Sequence, residues 1–285
     1  QRATILLGTA TFLRLYARNK RISSLMLESL RVVIAGAEKL PESVRLSFQA
    51  KFNINILEGY GATETTPVAS CNIPDQLDSN YWQVQKGNAP GSVGMPLPGS
   101  SVRIVDPVSL ETLPTGEDGL IMIAGTQVML GYLNNPEKTA DVIVELDGQR
   151  WYKTGDKGHV SEDGFLFIVD RYSRFAKVGG EMISLGAVEQ VVKSIICDAD
   201  GNEPFDSAAV NVPDEKKGEK VLLLVAGDTE FATHFDASAL RQQLIDGGIN
   251  SLMLPGAIYC VDDIPKLGSG KVDFKSLSKM ALELI

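Results

Sequence analysis

The apolar positions change period several times along the chain, and the changes predict its elements. Over residues 30–56, LRVVIAG is a near-continuous apolar run and PESVRLSFQAKF spaces its apolar residues along one helical face. Pro41 falls in the first turn of that helix, and NINIL returns to strand texture. Strand, helix, strand in this order predicts a parallel sheet covered by helices. Over 87–170 the texture shortens to GSVGMPLPGSSVRIVD, GLIMIAG, WYKTGDKGHV and GFLFIVD, cut by Gly, Pro and Asp. That is the pattern of a β meander or barrel, interrupted by one helix over 136–144.

A third texture follows RYSRFAKVGGEMIS. A helix over 186–196 carries Val188, Val191, Val192 and Ile195 at helical spacing. AAVNV, KVLLLVAG and AIYCVDD read as strands, 236–246 as a helix, and a last helix starts near Phe274. The expected class is α/β plus α+β: residues 1–170 in one domain, a short junction at 171–174, and a small α+β domain over 175–285.

Composition narrows the function. The 285 residues suit two domains, and 44% apolar with 22% charged residues is ordinary for a globular protein. A net charge of −9 argues against nucleic acid as the main partner. Cys71, Cys197 and Cys260 lie far apart without a CxxC spacing, which suits a reducing compartment. With only His159 and His234, a histidine-centred metal site or triad is not expected. His159 reads as a solvated turn or strand residue. No apolar run approaches the roughly 20 residues of a membrane span. The first residues lack an initiator Met and a cleavage site, so they read as the interior of a longer chain.

Three short stretches carry candidate chemistry. GYGATE, 59–64, is expected past the end of the NINIL strand, where open α/β sheets bind ligands. Tyr60 offers a flat face to a base, Thr63 a donor to a phosphate, and Glu64 a hard oxygen for Mg²⁺. The plain alternative is a glycine turn with an incidental Glu. TGD, 154–156, reads as a turn between strands whose Asp156 can accept from two ribose hydroxyls, against the alternative of an ordinary turn residue. GSGK, 268–271, is not a Walker loop, because Pro265 and Val272 stand where Gly and Ser/Thr are needed. It leaves Lys271 as a cation on a glycine-rich loop, either solvated or delivered to a reacting centre.

GYGATE, GLIMIAGTQVMLGYLNNPEKT, WYKTGD, DRYSRFAKVGGEMIS and PKLGSGK occur in that order, and together they resemble the adenylate-forming superfamily of acyl-CoA synthetases, peptide-synthetase adenylation domains and luciferases. RYSRFAKVGGEMISLGAVE is similar in particular to the acyl-(acyl-carrier-protein) synthetase domains of bifunctional 2-acylglycerophosphoethanolamine acyltransferases. The resemblance implies the C-terminal part of a large AMP-binding domain over 1–170, a hinge at 171–174 and a small mobile domain over 175–285. It implies ATP and Mg²⁺, a fatty acid, and transfer of the acyl group to acyl carrier protein, linked to lysophospholipid reacylation. CoA is the alternative acceptor, and a non-catalytic nucleotide-binding or docking module the alternative from another class.

By the same resemblance, Gly36, Ala37 and Glu38 lie along the adenine, Tyr60 stacks on it and Gly61 lets backbone approach the nucleotide. Thr63 contacts the α-phosphate, Glu64 holds Mg²⁺, and Asp156 binds the ribose with Arg171 beside it. Lys271 bridges carboxylate and phosphate, and Arg174 marks the hinge, where the family more often has Asp or Lys. Lys177, Gly179 and Gly180 form the loop for the thioester step. Nothing matches the family's TSGTTGxPK phosphate loop, so this chain by itself is expected not to form acyl-adenylate. The resemblance implies a cytoplasmic location, with any membrane contact made through other parts of the parent protein.

Overall fold

The computed structural model describes residues 2–197, 204–227, 229–268 and 271–285. Ser269 and Gly270 of the GSGK stretch lie outside them. The chain divides into two units, residues 1–169 and 170–285.

In the first unit β1 (Ile5–Gly8), β2 (Val32–Ala35) and β3 (Ile56–Gly61) pair in parallel. Helices α1 (Ala10–Arg18) and α2 (Glu42–Phe52) connect them. Val44, Phe48 and Phe52 recur every four residues on α2, so they form one face, which packs with Leu13, Val33, Ala35 and Ile56. Pro41 is the N-cap of α2, and Asn53 ends the helix in the left-handed region at φ 56°.

β3 follows β2 in parallel as far as Glu58, then pairs antiparallel from Gly59 with β4 (Val68–Cys71). Gly59, Tyr60 and Gly61 are therefore strand residues, and only the ATE half of GYGATE lies past the strand. The sequence expectation placed the whole stretch there. It missed the extension because the partner that prolongs the strand, β4, comes later in the chain.

β5 (Gln76–Asp78) and β6 (Gln83–Gln85) form a hairpin, and β7 (Met95–Pro96) pairs with β4. An antiparallel sheet follows, built from β8 (Ser100–Val105), β9 (Gly119–Gly125), β10 (Ile143–Leu146), β11 (Gln149–Val160) and β12 (Leu166–Arg171). α3 (Pro136–Val142) precedes β10, with Asn135 as its N-cap. Ile104, Ile121, Ile123, Tyr152 and Leu166 form the core of this sheet. β11 is one strand of 12 residues, not two strands joined at TGD. Its register against β9 slips between Lys153 and Lys157, facing Met122 and Leu120. TGD is thus a bulge inside a strand, a feature that re-aims side chains.

The second unit begins with the hairpin β13 (Phe175–Val178) and β14 (Glu181–Ser184), followed by α4 (Leu185–Ile196). β15 (Asp206–Asp214) and β16 (Gly218–Ala226) pair along their whole lengths. α5 (Thr229–His234), a short helix that the periodicity did not show, leads to α6 (Ala237–Asp246). β17 (Ala257–Cys260) then joins β16 in parallel, and α7 (Phe274–Glu283) ends the fold. Side chains of β16 alternate between two cores. Val221, Leu223 and Val225 meet α4 and α6, while Leu222, Leu224 and Ala226 meet Leu277 and Ala281 of α7. Burial on both faces explains why KVLLLVAG is a continuous apolar run. On α4 the wholly buried line is Leu185, Val188, Val192 and Ile196, with Val191 and Ile195 half-buried at its flank.

The junction differs from a bare connector. Asp170 accepts from the Ser184 hydroxyl and from Gly186 N at 3.1 Å, at the start of α4. Tyr172–Arg174 form a 3₁₀ turn. From it the Arg174 guanidinium reaches Glu189 of α4 at 2.7 Å and lies 4.0 Å from the centre of the Phe274 ring. Among the described residues, no helix is long and apolar enough to cross a membrane.

Candidate active site

The β11 bulge and the β3 strand bring together two residues far apart in sequence. The Tyr60 hydroxyl donates to Asp156 Oδ2 at 2.5 Å. Asp156 is only 4% exposed, and its amide donates to the Thr154 hydroxyl, which donates to Ile121 O at 2.8 Å. The bulge is thereby tied to β9. Burial first, then the Asp156 charge, raises the Tyr60 phenol well above its ordinary pKa, so it remains a donor.

Past the strand, Thr63–Thr65 form a 3₁₀ turn whose buried Thr65 hydroxyl accepts from Ala62 N at 2.9 Å. Thr63 is exposed. The Glu64 carboxylate accepts from the Tyr132 hydroxyl at 2.5 Å. Burial and then that hydrogen bond push the Tyr132 phenol up to about 12. The Tyr152 phenol is raised as well, by burial first and then by Glu64, with Asp156 contributing. Neither Tyr132 nor Tyr152 was singled out in the sequence, though both stand inside quoted stretches, MLGYLNN and WYKTGD. Their contacts to residues 59–64 span too much chain to be read from spacing.

The glycines of GYGATE also meet a requirement of strand packing. A β-carbon built on Gly61 would lie 1.8 Å from the Pro67 carbonyl oxygen, because β4 crosses there. At Gly59 it would meet Cys71 Sγ at 3.3 Å. Close strand pairing by itself excludes a side chain at Gly61. Gly61→Ala should therefore destabilise the first unit by about 2–3 kcal/mol, since backbone must move. Gly59→Ala, which faces a movable side chain, should cost much less. Urea midpoints of the two variants check this, and a wild-type midpoint for Gly61→Ala would contradict it.

The 36–38 loop approaches β3 at Gly59. Gly36 N donates to Gly8 O at 3.1 Å, and a β-carbon on Gly36 would lie 3.7 Å from Gly59 O. Ala37 adopts φ 71°. Glu38 accepts from Thr11 N at 2.6 Å, so its carboxylate is engaged at the start of α1.

The remaining candidates belong to the second unit. Val178 pairs with Glu181, which leaves Gly179 and Gly180 as a two-residue turn at φ 61° and 95°. Both values are left-handed, which a turn of this kind demands and glycine supplies without strain. Lys177 is exposed, and its amide donates to Glu219 at 2.5 Å. Arg171 is exposed and follows Asp170, whose Oδ1 accepts its amide at 2.7 Å. Lys271 is exposed, and its carbonyl accepts from Leu267 N at 2.7 Å, beside the bridge between Lys266 and Val272.

Comparison with known proteins shows what the chain is similar to. Residues 1–133 match the AMP-binding enzyme family. The chain is 31% identical over 276 residues to 4-coumarate–CoA ligase 2 of Nicotiana tabacum, covering 94% of this chain and 46% of the relative. It is 29% identical over 272 residues to the long-chain-fatty-acid–CoA ligase of Yersinia pestis, covering 94% and 43%. The ATP-bound crystal structure of MatB from Rhodopseudomonas palustris superimposes with a TM-score of 0.79 at 28% identity, over 99% of this chain and 52% of that one. Residues 1–133 thus resemble the AMP-binding enzyme family, and nearly the whole chain is similar to acyl- and aryl-CoA ligases of the adenylate-forming kind. It spans about half the length of the curated relatives it matches.

Adenylate-forming enzymes use ATP and Mg²⁺. Among the described residues no three His, Cys, Asp or Glu side chains cluster as a metal cage. Mg²⁺ needs none: it takes one or two carboxylates and completes its shell with phosphate oxygens and water. Glu64, a single carboxylate held by a tyrosine hydroxyl on a turn past a strand end, fits that requirement.

Proposed function

We propose that this chain supplies the nucleotide-handling and thiol-transfer parts of an ATP-dependent acid–thiol ligase. The observation that carries the reading is the Tyr60–Asp156 contact, with Glu64 acting on the same Tyr152 as Asp156. In this reading a substrate carboxylate oxygen attacks the α-phosphorus of ATP and pyrophosphate leaves. A thiol sulfur then attacks the acyl carbon and AMP leaves. Tyr60 and the 36–38 loop receive the adenine, Asp156 the ribose with Arg171 near it, Thr63 the α-phosphate, and Glu64 the Mg²⁺. Bound Mg²⁺ would neutralise phosphate charge. Lys271 meets carboxylate and phosphate in the first half-reaction, and the 177–180 hairpin serves the second. The two halves need different faces of the second unit, so the unit turns. The hinge in this reading is at residues 171–174, where Arg174 is held by Glu189 of α4.

Relatives named as CoA ligases support CoA as the thiol. The RYSRFAKVGGEMIS stretch supports a second reading, a fatty acid passed to the phosphopantetheine of acyl carrier protein in lysophospholipid reacylation. Thioester formation by the intact protein, compared between CoA and acyl carrier protein, separates them. Nucleotide binding without turnover on either acceptor would instead favour a binding module.

Asp156 Oδ2 already accepts from Tyr60, so ribose hydroxyls would compete with the phenol for it. Tyr60→Phe should therefore keep or slightly raise ATP affinity, while Tyr60→Ala should lower it about tenfold through lost stacking. Calorimetric titration of the intact protein with ATP checks this. Equal losses in the two variants would show that the hydroxyl, not the ring, holds the nucleotide.

A further inference from the structure

We propose that Tyr132 is a positioning residue for Glu64, fixing its carboxylate in the orientation from which it binds the divalent cation carried by the nucleotide. The inference rests on the reading of Glu64 as a cation ligand. A glutamate has three rotatable bonds, and a turn residue at the end of a strand leaves them all to be fixed by neighbours. The Tyr132 hydroxyl supplies a 2.5 Å hydrogen bond to Oε1. Hydrogen bonds to a charged group are the stronger class, so this one restricts the carboxylate appreciably.

Tyr132 is itself held. Its amide donates to the Thr139 hydroxyl at 2.9 Å, and Lys138 Nζ lies 4.5 Å from the ring centre. Lys138 and Thr139 belong to α3, whose N-cap Asn135 accepts from Lys138 N at 3.0 Å. The start of a capped helix thus seats the tyrosine. Two further bonds tie the same loop to the same turn: Met129 N donates to Glu64 O at 2.9 Å, and the Thr66 hydroxyl to Gln127 O at 2.6 Å. The backbone of residue 64 and its side chain are therefore both held by residues 127–132. Groups that orient a metal ligand commonly matter about tenfold or more to metal affinity.

The test measures Mn²⁺ binding, by electron paramagnetic resonance, to the intact protein with a non-hydrolysable ATP analogue bound. Tyr132→Phe, which keeps the ring, should weaken Mn²⁺ binding about tenfold with thermal unfolding little changed. Glu64→Gln should weaken it further, and the double variant no more than Glu64→Gln alone, because the tyrosine acts through the carboxylate. Wild-type Mn²⁺ affinity in Tyr132→Phe, with a loss in Glu64→Gln, would overturn the positioning role and leave Glu64 as the ligand. Additive losses in the double variant would also overturn it. Wild-type affinity in Glu64→Gln would remove the cation role of Glu64 itself, and this inference with it.

Discussion

Arg174→Ala should lower the stability of the second unit by about 2–4 kcal/mol, a large effect for a residue at a domain junction. The side chains of Arg174 and Glu189 are 14% and 16% exposed and meet at 2.7 Å. The same Glu189 oxygen accepts from Ala209 N at 2.8 Å, so the pair links the 3₁₀ turn, α4 and β15. The guanidinium also covers the Phe274 ring at the start of α7. Removing it leaves a carboxylate in a mostly dry place with its charge uncompensated, which costs more than the pair itself contributes. The cost falls below that of a wholly dry pair because both side chains keep some water and the buried Arg174 Nε has no partner. Arg174→Lys should fall between, since an ammonium keeps the charge but loses the planar fork. Urea unfolding of the intact protein, followed through a probe in the second unit, checks the order Ala, Lys, wild type. An unchanged midpoint for Arg174→Ala would mean that the pair is effectively solvated and the turn is a connector after all.

That residue shows where sequence reading stops. The chain divides at 169–170, and the texture change after GFLFIVD was legible because strand and helix periods are local properties. It gave no sign that Arg174 packs inward, since Glu189 and Phe274 lie 15 and 100 positions away. The same split runs through the site. Hydrophobic period located α2, α4 and β16, and the paired glycines at 179–180 encode their own turn. TGD looked like a turn because Gly and Asp favour turns locally, yet strand pairing with β9 on both sides makes it a bulge. That a side chain at Gly61 would meet the Pro67 backbone could not be read from the sequence, because β4 comes later in the chain. Tyr60 and Asp156 were each legible as candidates from residue type. Their contact, and that of Tyr132 with Glu64, exist only once the sheets are assembled.

Lys271→Ala should slow adenylation by the intact protein about 10²–10³-fold, the scale of losing one preorganised charge at a reacting centre. Transfer from supplied acyl-adenylate to the thiol should change by a few-fold at most. Lys271 is exposed, so the loss should come without a change in thermal unfolding. Its neighbour offers an internal control. Lys266 sits across the same loop, bridged to Val272, and its ammonium pairs with Asp206 at 2.5 Å. That hydrogen bond is the main reason its pKa is raised. Lys266 is thus occupied as a loop anchor, whereas Lys271 lies at the end of the glycine-rich stretch. Lys266→Ala should leave adenylation within a few-fold of wild type, with at most a modest loss of stability because the pair is half-exposed. ATP–pyrophosphate exchange reads the first half-reaction, and AMP release from acyl-adenylate on adding thiol reads the second. Equal losses in both halves for Lys271→Ala would assign it to a step common to both. Matching losses in Lys266→Ala and Lys271→Ala would mean that the shape of the loop matters and the charge does not. A selective loss confined to Lys271→Ala and to the first half is the result that requires this lysine to leave the nucleotide site before the thiol arrives.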